Sequence, residues 1–177
     1  MTVIREGNLE FSFGSSWDVC KYDGNGSYYK SLMEKNVKPT KAVDFLCLCS
    51  GCPLLMLEVK DFSRSLPNRE KFENIPMSVA IKARDTIAGI IGGLHCSSDV
   101  EQTFFKTSYK KMEIPPRVIF FFEDLATPAR PPQRVANKRD VLQKKLREHL
   151  RWLTRNIVVV GLNDYSRFIN DLRIRQV

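Results

Sequence analysis

The chain reads as an α/β protein: a mixed β-sheet flanked by α-helices. Three observations predict this. "KAVDFLCLC" and "LLMLEVKDF" are apolar segments separated only by the turn "SGCP", and together they read as a hairpin. Two stretches with apolar residues at helical spacing come after it. Continuously apolar strands, "PPRVIFFFEDL" and "NIVVVGL", follow the first and second of these stretches. A hairpin succeeded by helix–strand units implies a sheet layer covered by helices.

The elements follow in order. "LEFSFGSSWDVCKYD" alternates and is rich in aromatics, which predicts one or two early strands. "GNG" is a turn. "SYYKSLMEKNV" predicts a short helix with Ser27 as N-cap, ended by Pro39 and Thr40. The hairpin spans residues 41–62. The polar run "SRSLPNREKFENIP" predicts a loop or lid. "MSVAIKARDTIAGIIGGLHC" predicts a long helix, with Val79, Ala80, Ala83, Ile87, Ile90, Ile91 and Leu94 on its apolar face and Gly92-Gly93 loosening its end. After the "FFF" strand, whose aromatics read as core, "ATPARPPQRVAN" predicts a Pro-rich loop. "KRDVLQKKLREHLRWL" predicts a helix with Leu142, Leu146, Leu150 and Leu153 as its stripe.

Composition bounds the function. The 177 residues suit one domain, 1–177, with a core over about 17–162 and a short polar tail over 163–177. With 43% hydrophobic and 27% charged residues, the composition is that of an ordinary globular protein. No apolar run approaches the ~20 residues of a membrane span, and the N-terminus lacks the pattern of a secretory signal. Five cysteines without an export signal predict reduced thiols and a cytoplasmic location. "CLCSGC" invites a zinc reading with His95 or Cys96 as fourth ligand. It holds only one Cys-x-x-Cys, Cys49 to Cys52, so buried strand thiols explain it better. The two histidines, His95 and His149, sit in no nucleophile–His–Asp arrangement.

The net charge of +8 is unevenly distributed. Residues 1–105 carry 12 Lys and Arg against 13 Asp and Glu, whereas residues 106–177 carry 16 against 7. A basic C-terminal part would attract a polyanion such as nucleic acid, or simply keep the chain soluble. Lys144, Lys145 and Arg147, on the basic helix, are candidate phosphate contacts. The same residues also suit a solvated helix face.

Within the hairpin, Glu58 and Lys60 share one side of an otherwise apolar strand, because strand side chains alternate. Asp44 lies on the partner strand, across one tight turn. Two carboxylates offer hard oxygen ligands to Mg²⁺ or Mn²⁺, and a lysine beside them can orient water or neutralise transition-state charge. A wet sheet edge closed by a Lys60 salt bridge to Glu58 or Asp61 is the plainer alternative.

"VDF", a turn and "LLMLEVKDF" resemble the PD-(D/E)xK nuclease superfamily, the restriction-endonuclease-like fold. The long helix after the lysine strand and the buried strand after that follow the same order. Val43 departs from the pattern by standing where the nominal motif has proline. The resemblance implies metal ligation by Asp44, Glu58 and the Val59 carbonyl, with Lys60 acting on water. It also implies a further acid on a preceding element, for which Glu34 is the natural candidate and Asp23 the second. Lys82, on the following helix, would face the site or the nucleic acid, or else pair with Asp85 on a solvated face. The implied function is Mg²⁺-dependent phosphodiester hydrolysis of nucleic acid, DNA by preference, by an enzyme that can act as a homodimer. The alternative is an inactive nuclease-fold module that binds DNA or a protein partner.

Overall fold

The computed structural model describes residues 1–62, 69–124 and 132–177. Five strands form a mixed sheet in the order β3 (Trp17–Lys21), β4 (Phe45–Cys49), β5 (Leu55–Asp61), β6 (Arg117–Glu123) and β7 (Ile157–Val160). β3, β4 and β5 are antiparallel neighbours, while β6 and β7 run parallel to β5. A second, antiparallel sheet has the order β1 (Thr2–Glu6), β2 (Leu9–Phe13) and β8 (Leu172–Gln176).

Alternation divides the large sheet into two faces. Met56 of β5 and Leu54 just before it point with Phe120 and Phe122 of β6 towards the helices, as does Glu58, which meets Lys82. Leu55, Leu57 and Val59 point with Phe121 towards the small sheet, where they meet Leu9, Phe11 and Phe13. All three aromatics of "FFF" are fully buried, and burying a side chain of this size contributes about 1.5–3 kcal/mol.

Among the described residues, four α-helices complete the fold: α1 (Glu34–Asn36), α2 (Arg69–Cys96), α3 (Asp99–Lys111) and α4 (Pro132–Leu150). The first continues a π-helical turn, Tyr29–Met33. α4 buries Leu142, Leu146 and Leu150 of the expected stripe, while Leu153, its fourth residue, lies beyond the helix end and is half-buried.

Several expectations need correction. The polar run 63–76 is not all loop, since α2 begins at Arg69; its first six residues lie outside the described residues. Likewise α4 starts at Pro132, so only the part of the Pro-rich loop up to 131 is left, and it lies outside them too. Gly92 and Gly93 do not loosen α2. They are points of close packing, and a Cβ at Gly93 would stand 2.5 Å from the Phe105 ring. α3 escapes a periodicity reading because little of it is deeply buried, chiefly Phe105 and Ser108. The tail is not free: β8 pairs with β2, so the core extends to Leu9, Ile169 and Leu172. Cys49 and Cys52 form a disulfide where reduced thiols are expected, because the turn brings their Cα atoms within 5.4 Å, inside bridging range. Among the described residues, no helix is long and apolar enough to cross a membrane.

Candidate active site

The β4–β5 register pairs Phe45 with Leu57 and Leu46 with Met56. One further step puts Asp44 opposite Glu58. Regular pairing has stopped there, and Asp44 immediately precedes the strand instead of lying within it. Its side chain continues the ladder: the Val59 amide donates to Asp44 Oδ2 at 2.6 Å.

α2 holds the segment that delivers Asp44. The Lys41 amide donates to Asp85 Oδ2 at 3.0 Å, and the Val43 amide donates to Thr86 Oγ1 at 3.1 Å. Lys41 Nζ also reaches Ser78 Oγ. Ser78, Lys82, Asp85 and Thr86 therefore form one polar stripe on α2, turned towards residues 41–44 and the strand ends. Helical spacing in the sequence places these residues on one face of α2, but does not say which of them meets the hairpin.

Lys82 is the centre of the cluster. Its ammonium lies 2.8 Å from Glu58 Oε2 and 3.2 Å from Asp44 Oδ1, with 16% of its side chain exposed. It is thus neither paired with Asp85, which is held by Arg84 instead, nor turned outward. Lys60 Nζ stands 2.9 Å from Glu58 Oε1 as an ion pair. The contact is not aligned as a hydrogen bond, so Glu58 Oε1 is a buried acceptor without a hydrogen bond among the described residues. This is the salt bridge of the plainer alternative, but it is not at a wet edge: Glu58 is fully buried, while Lys60 is 39% exposed.

Burial, and after it the Asp44 carboxylate, pushes Glu58 up to about 7 against the pull of Lys82 and Lys60. Burial opposes the Lys82 charge, but Glu58 and Asp44 outweigh it and hold the ammonium above its ordinary range. Of the two candidate acids, Asp23 is electrostatically tied to the site. Burial and then Asp44 push it up to about 6. Glu34 is engaged by Lys30 at 2.9 Å and touches none of Asp44, Glu58 and Lys60 among the described residues.

A cleft of about 430 Å³ opens on Glu58 and Lys60 and is lined further by Lys41, Lys71 and Asn74. A second cavity, about 340 Å³, lies at the other end of the hairpin beside Trp17, Cys52 and Arg117, and no carboxylate lines it. On α4, Lys144 and Arg147 are exposed and Lys145 is half-buried. Asp140 and Glu148 share the shallow hollow that Lys144 and Arg147 line, so its charge is mixed.

The residues fit a hard divalent cation. Two buried carboxylates already share one positive charge, and one of their oxygens has spare acceptor capacity. Among the described residues no group of three or more His, Cys, Asp or Glu side chains could hold a metal. An ion here would draw on two carboxylates, with backbone and water oxygens besides, which suits Mg²⁺. No known protein family matches the chain, and neither a curated protein nor a solved structure is similar to it.

Proposed function

We propose that the chain has a restriction-endonuclease-like fold and hydrolyses phosphodiester bonds of nucleic acid, DNA by preference, with Mg²⁺ or Mn²⁺. The observation that carries this reading is the convergence of Asp44 and Glu58 on a single cation, with Lys60 two residues away at the mouth of a cleft. The element order supports it as well: β3, the α1 segment, the antiparallel hairpin β4–β5, then α2 and α3, then β6 parallel to β5.

Asp44 and Glu58 would hold the metal, with the Val59 carbonyl a further ligand by resemblance. When bound, the metal supplies Lewis-acid stabilisation and a more acidic water. Lys60 orients the attacking water and neutralises charge building on the phosphate oxygens. Its half-exposed ammonium suits that role, since it faces the cleft while its partner Glu58 is fixed below. Lys41 and Lys71 make the cleft wall attractive to a phosphate backbone.

The test is incubation of the purified chain with DNA and Mg²⁺ or Mn²⁺. Cutting is expected, and it should be lost in Lys60→Ala with the fold intact. One observation favours a second reading, an inactive module that binds DNA or a protein partner: Lys82 already bridges both carboxylates. Binding without cutting under every divalent metal would select it.

A further inference from the structure

We infer that Lys82 is the resident cation of this site and that a divalent metal enters by displacing it, so that Lys82 sets how readily the site is filled. The inference rests on the metal-dependent reading above.

Geometry comes first. Lys82 Nζ touches Glu58 Oε2 at 2.8 Å and Asp44 Oδ1 at 3.2 Å, so it takes one oxygen from each carboxylate. An ion held by both acids would compete with the ammonium for these oxygens. Magnesium binds oxygen at about 2.0–2.1 Å, and an ammonium in the same notch leaves no room for it.

Charge balance points the same way. Even with Glu58 fully ionised, Asp44 and Glu58 carry two negative charges against the two ammonium groups of Lys60 and Lys82, so the cluster is at best neutral with Lys82 seated. A dication added to that neutral cluster would bury an uncompensated double charge, which is strongly unfavourable. With Lys82 withdrawn, the same ion faces two carboxylates and only one ammonium.

The path out is also present. The polar stripe of α2 is fixed by Asp85 and Thr86 to the backbone of Lys41 and Val43, so the helix has no need to move. The Lys82 side chain is long and flexible. Ser78, one turn earlier on the same stripe, lines the 430 Å³ cleft, into which the ammonium can swing. A charged group leaving the notch thus arrives in a solvated space.

Two measurements on the full chain test this without reference to activity. The first is Mn²⁺ binding, followed by electron paramagnetic resonance, for the wild type and Lys82→Met. A site that is open in about a tenth of molecules binds about tenfold more weakly, so the variant should bind Mn²⁺ about tenfold more tightly or better. The second uses the wild type alone, so it holds even if the variant fails to fold. Acylation of Lys82 by an amine reagent, read by peptide mass spectrometry, should rise when Mn²⁺ is added. If the chain binds Mn²⁺ but affinity is the same in both proteins, or Lys82 labelling stays flat, displacement is overturned while the metal site stands. If neither protein binds Mn²⁺, both the displacement and the metal-dependent reading fall.

Discussion

The Val59 amide donates a 2.6 Å hydrogen bond to Asp44 Oδ2, in the place where a longer β4 would have offered a backbone carbonyl. One carboxylate oxygen therefore secures the hairpin, and the other faces the cation. Asp44→Ala removes both functions. A buried amide left without its acceptor costs about 1–3 kcal/mol, which chemical denaturation would read. Asp44→Asn keeps an acceptor for Val59, so it should lose less stability than the alanine variant yet still abolish metal-dependent cutting. Equal stability loss in the two variants would contradict this division of labour.

Thr86 acts on the site without touching it. Its hydroxyl is the acceptor for the Val43 amide, one residue before Asp44. Thr86→Val is nearly isosteric but cannot accept that bond. We expect a stability loss of about 1–3 kcal/mol and a drop in cutting, with Thr86→Ser restoring both. A valine variant as stable and active as the wild type would show that α2 does not position Asp44.

Asp23 gives stability a pH dependence. Its Oδ1 is buried without a hydrogen bond among the described residues, and burial, then Asp44, pushes the group from 3.8 up to about 6. A carboxyl with a higher pKa folded than unfolded keeps its proton in the folded state over that range. Its contribution to stability therefore falls as pH rises from about 4 to 6 and stays low above it. Asp23→Asn removes the penalty. Because the group is only half-buried, solvent screening reduces the gain to about 1 kcal/mol at pH 7.5. Denaturation curves should show that gain fading towards pH 3.5; a gain independent of pH would contradict the assignment.

Gly93 opposes helix propensity to packing. Alanine is the better helix former by about 1 kcal/mol in an open helix. Here a Cβ would stand 2.5 Å from Phe105 Cδ2 and 3.0 Å from Cγ, where α2 meets α3. Overpacking typically costs about 1–3 kcal/mol, so Gly93→Ala should lower the melting temperature. A rise in melting temperature would mean that the contact is looser than the geometry implies.

Asp44, Glu58 and Lys60 are legible in the sequence because their meeting is local. One tight turn and strict alternation bring them to one face of the hairpin. The partner from α2 is not legible in the same way. Lys82 and Asp85 sit three residues apart, and helical spacing suggests that they pair. Asp85 instead turns to the Lys41 amide and to Arg84, which frees Lys82 for the carboxylates. That exchange depends on how α2 docks, which no local pattern encodes. The sequence leaves Glu34 and Asp23 open for a similar reason: that Lys30, one turn before Glu34, pairs with it is visible only in the fold. β8 finds its partner β2 about the whole chain length away, so a polar tail hides a strand.

The central claim is that Asp44 and Glu58 form a metal site, and anomalous diffraction from Mn²⁺-soaked crystals tests it most directly. One strong peak is expected within bonding distance of both carboxylates, with the Lys82 ammonium moved out of the notch. A structure in which Lys82 stays seated between them at saturating Mn²⁺, with no peak at Asp44 and Glu58, would contradict it.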